Sequence, residues 1–211
     1  MRPKDAASIL LLDRSTDRTR VLVGKRSSAH VFMPDVFVFP GGRRDARDHA
    51  LPYSGDLHPA VTDKLINAAS RPLTASGARA LALAAIRELH EETGLRFGGD
   101  ASECHAPDLS HLRFVARAIT PPGKVRRYDT RFFCCFTDEA GIHPNAFSDS
   151  EELLSLQWLD IEDNSSLNMA PITRLVLEDV TKFMIGDPSL QFESPVRQYF
   201  ERRGKFIRGF L

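Results

Sequence analysis

The chain has 211 residues, with 28 Lys and Arg against 28 Asp and Glu and 42% hydrophobic content; this suits one well-buried soluble core and excludes disordered or collagen-like classes. A neutral total charge argues against nucleic acid as the main partner, because a binding footprint usually carries a broad basic excess. The longest early apolar run, Ile9 to Leu12, falls far short of the ~20 residues that cross a bilayer, so no membrane partner and a cytoplasmic location are expected.

In chain order, ASILLLD (7–13) reads as a strand, RSTDRT as a polar turn and TRVLVGKR (19–26) as the returning strand of a hairpin. A loop containing Met33-Pro34-Asp35 leads to VFVFPGG, a β-branched and aromatic strand stopped by Pro40 and followed by Gly41 and Gly42. Residues 43–75 read as an inserted loop holding a short helix, TDKLINAAS. From Ser76, apolar residues Ala78, Leu81, Ala82, Ala85 and Leu89 recur at spacings of three and four, and Gly94 supplies a C-terminal cap.

Two further strands are expected in LRFVARAI and RYDTRFFCCFTD, separated by a Pro121-Pro122-Gly123 turn, and another in LLSLQWLDI (153–161). APITRLVLEDVTKFMIG follows as an amphipathic helix with Pro171 in its first turn. Strands and helices mix without a strict βαβ rhythm, so the expected fold is α/β (α+β), with a mixed sheet between helices. Three cysteines, Cys104, Cys134 and Cys135, show no CxxC spacing and support neither a disulfide framework nor a zinc site. Cys134 and Cys135 should point to opposite faces of a strand.

The stretch AAIRELHEETGL (84–95) poses an electrostatic problem. On a helix, Glu88, Glu91 and Glu92 fall within a ~100° arc bordering the apolar stripe, with Glu88 and Glu92 nearest the buried side. Crowded carboxylates need protons or cations to neutralise them. Arg87, four residues before Glu91, is one local partner. A hard divalent cation such as Mg²⁺ or Mn²⁺ would suit the remaining oxygens and could polarise a phosphoryl group. The plainer reading is a solvated acidic helix end.

Arg87-Glu88-Leu89-His90-Glu91-Glu92-Thr93-Gly94-Leu95 matches REUxEExGU, where U is apolar, at every specified position. The chain therefore resembles the Nudix hydrolases, and VFVFPGG looks like the glycine entry to the same box. The resemblance implies a Nudix-type α/β/α sandwich as a single domain over 1–211. In the common box a Gly lies fourteen residues before the Arg and a Glu eight before it; here those positions hold Leu73 and Arg79, while Gly42 precedes Arg87 by 45, so about 31 residues are extra.

A long insertion inside the box, with KRSSAHVFMPDVFVFPGG and RRYDTRFF around it, is similar to the branch of peroxisomal coenzyme A diphosphatase-like members. Leu22, Arg26, Ser27 and Phe39 to Gly42 keep the spacing of the stricter coenzyme A pattern, whereas Gly24, Val31 and Asp35 depart from it. The broader substrate class is a nucleoside diphosphate linked to another moiety, with coenzyme A as one candidate.

By resemblance, Glu88, Glu91, Glu92 and Gly42 form the metal site, Glu88 or Glu92 acts on the attacking water, and Arg87 orients them. Glu152 is the further loop carboxylate, beside Glu151 and six residues before Trp158. Arg26, Arg43 and Arg131 are the candidates for binding phosphate, because guanidinium groups hold phosphate oxygens with paired bonds. Tyr128 and Phe132 can stack on a base or pack in the sheet. The basic C-terminal tail at about 188–211 could cover the site, pack on a second subunit as a homodimer, or touch nucleic acid. Two alternatives to metal-dependent pyrophosphate hydrolysis stay open: a non-catalytic Nudix-fold nucleotide-binding or regulatory module, and an interaction protein whose acidic helix is only surface.

Overall fold

The computed structural model describes residues 2–28, 34–69, 71–98, 106–124, 126–163 and 167–211; Met33, Val31 and Cys104 lie outside them. The first strand, β1 (Lys4–Asp13), is the centre of the molecule. Its inner half is apolar on both faces, and Ile9 to Leu12 have no solvent exposure, as a strand covered by helices on both sides requires. β2 (Arg20–Arg26), β3 (Phe37–Val38) and β4 (Gly41–Arg43) follow. β2 pairs with the end of β1, and β4 with its start, at Ala6–Arg43, Ala7–Gly42 and Ser8–Gly41. The strand before Pro40 is thus short, Phe37–Val38, and stops ahead of the proline as expected, while Gly41 and Gly42 open a second short strand.

A 3-10 turn (Ala46–Ala50) and helix α1 (Pro59–Ala68) come next. The long helix α2 (Ala75–Thr93) starts on Thr74, whose hydroxyl accepts from the Gly77 amide, and ends at Gly94 with φ 75°, a left-handed cap that glycine adopts without Cβ strain. β5 (Arg113–Ile119), β6 (Tyr128–Phe136), β7 (Leu153–Asp160) and helix α3 (Pro171–Gly186) fall where the patterning places them.

The segment that reads as a basic C-terminal tail is regular structure over its second half. It forms a hairpin, β8 (Arg197–Arg202) and β9 (Lys205–Phe210), that extends the sheet. Buried Asp179 of α3 fastens it, accepting from the Tyr199 hydroxyl at 2.6 Å and pairing with Arg208 at 2.7 Å.

The sheet runs β3-β2-β1-β6-β5-β8-β9, with β4 on β1 and β7 on β2. It is mixed: β1/β6 and β5/β8 are parallel, the other pairs antiparallel. One apolar cluster lies between the sheet and α1 and α2, a second between the sheet and α3. Cys135 belongs to the first and Cys134 to the second, as strand alternation requires. Burial raises both thiols, that of Cys134 to about 12. Among the described residues no helix is long and apolar enough to cross a membrane.

Candidate active site

The alanine-rich face of α2 is packed against the sheet, so the helix cannot roll, and its last two turns present the carboxylates to β4. Their burial is graded as the helical arc predicts. Glu92 is 7% exposed, the Glu88 side chain 14% and that of Glu91 46%. Glu92 Oε2 accepts from the Gly41 amide at 2.8 Å. Burial nonetheless dominates and, helped by the charges of Glu88 and Glu152, pushes the Glu92 carboxyl up to about 8 against the opposing Gly41 bond and Arg26. Glu88 is raised for the same first reason, with Glu91 and Glu152 adding and Arg87 opposing.

Two glycines allow this closeness. A Cβ on Gly42 would stand 2.4 Å from the Glu88 carboxyl, and one on Gly41 would stand 2.6 Å from the Ala7 carbonyl and Ser8 Cα. Any larger residue at position 42 therefore displaces Glu88 or the strand.

Arg87 gathers the helix and the segment after β4 into one network. Its Nη1 donates to Glu88 Oε1 and Glu91 Oε2, both at 2.8 Å, its Nε to Asp48 Oδ1 at 2.8 Å, and its Nη2 to the Arg43 carbonyl at 3.1 Å. Burial opposes its charge, but Asp48 and Glu88 outweigh this and hold the guanidinium protonated well above its ordinary range. Asp48 is fully buried and also accepts from the Asp45 amide at 2.7 Å.

Asp48 was missed by sequence reasoning, and it corrects the reading of Arg79. Counting back from Arg87 along the chain places Arg79 where the box has its first Glu. Asp48, which pairs with Arg87, stands six residues after Gly42, the same interval that separates Gly and Glu in the common box. The signal was therefore present in Gly42-Arg-Arg-Asp-Ala-Arg-Asp48. Arg79 instead makes a two-pronged pair with Asp56 at 3.0 and 2.5 Å and covers the Tyr53 ring, so it ties the segment between β4 and α1 to α2.

A cleft of about 390 Å³ opens over this network. Arg26, Arg43, Arg87, Glu88, Glu91, Glu92, Glu152 and Gly42 all line it. The Ser27 amide donates to the Glu152 carbonyl, which brings the end of β2 and the start of β7 to one rim. Tyr128 and Phe132 line it too, beside apolar Val38, Phe39 and Ile172. Arg47 and Arg126 are lining cations the sequence did not single out. Arg131 is a correction. On β6 its neighbours Thr130 and Phe132 face the cleft, so alternation turns Arg131 to the opposite face, where it is 4% exposed and pairs with Asp5 at 2.9 Å and Asp129 at 3.3 Å.

Among the described residues no three carboxylate, imidazole or thiol groups already converge as a metal cage. The cause is visible: Arg87 draws the oxygens of Glu88 and Glu91, and Gly41 draws Glu92. The donor set still fits a hard divalent cation. It is oxygen only, and two of its carboxylates are buried at the cost of raised proton affinity, a cost that a cation would relieve.

Comparison with known proteins gives a consistent result. The family model described as NUDIX domain matches residues 75–180. Among solved structures, a NUDIX hydrolase from Alicyclobacillus acidocaldarius is similar with 24% identity, TM-score 0.61 and coverage of 89% of this chain and 93% of that one. The NUDIX domain of Shewanella oneidensis NrtR complexed with ADP ribose gives 12% identity, TM-score 0.53 and coverage of 86% and 88%. The Nudix hydrolase RenU from M. smegmatis gives 15%, 0.52 and 88% of each chain. No curated protein matches significantly.

Proposed function

Since the chain belongs to the Nudix family, whose domain model spans half of it, we propose that it hydrolyses the pyrophosphate bond of a nucleoside diphosphate linked to another moiety, with Mg²⁺ or Mn²⁺. The observation that carries this reading is the meeting of Glu88, Glu91, Glu92 and Glu152 with Arg26, Arg43, Arg47 and Arg126 around one cleft. Carboxylates for a cation and guanidinium groups for phosphate are the two halves of such chemistry.

Glu88, Glu92 and Glu152, with Glu91 at the exposed side, would hold the cation. When bound, it supplies charge neutralisation at the phosphates and acidifies a water ligand. The chain's own groups do the rest. The lining arginines bind and orient the diphosphate, and Arg87 fixes the angle at which Glu88 and Glu91 are presented. Water oxygen attacks phosphorus, the bridging P–O bond breaks, and Glu88 or Glu92 takes the proton of the water. The products are a nucleoside monophosphate and a second phosphomonoester. The apolar wall of Val38, Phe39 and Ile172, with Tyr128 and Phe132, suits the non-phosphate part. ADP ribose in the NrtR domain is one member of the class; coenzyme A is another.

The test is a panel of dinucleoside polyphosphates, nucleotide sugars, NADH and coenzyme A, each with Mg²⁺ or Mn²⁺, read for nucleoside monophosphate. The parent cleaves at least one, and the Glu91→Gln, Glu92→Gln double variant loses it. Equal cleavage by that variant, or ligand-induced thermal stabilisation with no turnover on any substrate, refutes the mechanism and leaves a binding module.

A further inference from the structure

Cations are concentrated at one end of the sheet, although the chain as a whole is neutral. β1 begins there, with Arg2 and Lys4. β5 and β6 are joined there by residues 120–127, which carry Lys124, Arg126 and Arg127. β8 runs parallel to β5, so its turn into β9, with Arg202, Arg203 and Lys205, lies at the same end. The register fixes their nearness: Lys4 is paired with Tyr128, and Ala118 with Tyr199, three residues before Arg202. Neighbouring strands are ~4.8 Å apart, so the three segments form one continuous rim.

Segments 2–4, 120–128 and 201–206 hold eight Lys and Arg residues and one carboxylate, Glu201. Asp5 and Asp129, at the same end, are already taken by Arg131 and by Arg117, which Asp129 binds at 2.7 and 2.6 Å. Among the described residues, Lys4, Arg126, Arg202, Arg203 and Lys205 are exposed and enter no ion pair. The rim is continuous with the cleft, because Arg126 and Tyr128 line it. Such a set of like charges makes a local positive potential that attracts anions.

We infer that this rim is a second anion subsite, which takes a phosphate monoester carried elsewhere on the nucleotide, beyond the diphosphate set against Glu88 and Glu92. The inference rests on the proposed function and narrows its substrate class to nucleotides bearing a further phosphate. The subsite is exposed, so its contribution falls with ionic strength.

Two matched pairs test it, NADPH against NADH and coenzyme A against its 3′-dephospho form, on the parent and on the triple variant Arg202→Gln, Arg203→Gln, Lys205→Gln. The parent prefers the phosphorylated member of a pair by about tenfold or more in kcat/KM at low salt, carried by KM, as uniform binding requires. In the triple variant the preference shrinks below about threefold, while the member without the extra phosphate is cleaved as before. No preference in either pair, or a preference that survives the triple substitution, overturns the subsite. If no compound is cleaved at all, the hydrolase reading fails, and the same comparison by equilibrium binding still decides the rim. Tight binding of single-stranded RNA, abolished in the triple variant, without discrimination within the pairs assigns the rim to nucleic acid and also overturns it.

Discussion

Asp48→Asn keeps the side-chain volume at a fully buried position and removes the charge that faces Arg87. Breaking a buried ion pair from one side costs about 3–5 kcal/mol. Here Arg87 keeps Glu88, Glu91 and the Arg43 carbonyl, and the Asn oxygen can still accept one bond, so the expected loss is lower, about 2–3 kcal/mol. At ~2–4 °C per kcal/mol for a chain of this size, Tm drops by about 4–12 °C. Catalysis should suffer separately. Loss of a partner that orients site ligands commonly costs about 10–100-fold, and the reduction should appear in kcat or in the half-saturating cation concentration, with substrate KM little changed. Thermal denaturation and steady-state kinetics with cation titration read both effects. Arg79→Ala is the control: it breaks a partly exposed pair with Asp56, costs about 0.2–1 kcal/mol and leaves turnover unchanged. An Asp48→Asn protein with parental Tm and parental kcat would refute the assignment, as would an Arg79→Ala protein that is the worse catalyst.

Three further outcomes are expected. Gly42→Ala folds, but its new methyl meets the Glu88 carboxyl; overpacking costs about 1–3 kcal/mol, and kcat falls more than in Gly186→Ala, where nothing lies within 4 Å. Arg131→Gln lowers Tm because Asp5 and buried Asp129 each lose one cationic partner, Asp129 keeping Arg117 and Asp5 keeping Arg44, yet KM of the folded enzyme stays at the parental value; a selective rise in KM would return Arg131 to the binding site. With divalent ions chelated, Glu92 keeps its proton in the folded chain up to about pH 8 but releases it near 4.5 when unfolded. Its contribution is thus fully present below 4.5 and is lost as pH rises to about 8. Denaturant titrations across that window should slope downward for the parent and less steeply for Glu92→Gln; identical slopes contradict the buried-proton account.

The fold was legible wherever periodicity was strong. The stripe from Ala78 to Leu89 and the aromatic and apolar run Phe132 to Phe136 in β6 each pointed to one element, and each occurs. The C-terminal hairpin was not legible, because its burial is largely one-sided and interrupted by Arg202, Arg203 and Lys205, which read as a basic tail. In the site, contiguous spacing led to Glu88, Glu91, Glu92 and Gly42, all of which line the cleft. Arg131 failed for a geometric reason: a strand residue's face depends on register parity, and nothing in RRYDTRFF fixes parity without the paired strand. Asp48 lies 39 residues before Arg87, too far for spacing from the helix motif to single it out, whereas it stands only six residues after Gly42.

The central strand β1 also sets how this chain reaches its native state. Lys4 lies beside Tyr128 and Leu12 beside Phe136, so the parallel ladder joins residues 124 positions apart. Contacts of such separation must wait for a long stretch of chain to be ordered, which slows folding. Until β6 arrives, Ile9 to Leu12 offer an unpaired apolar edge to any other chain. Refolding yield should therefore decline with protein concentration, and the segment that nucleates aggregates should be the same one that ends as the best-buried strand of the molecule.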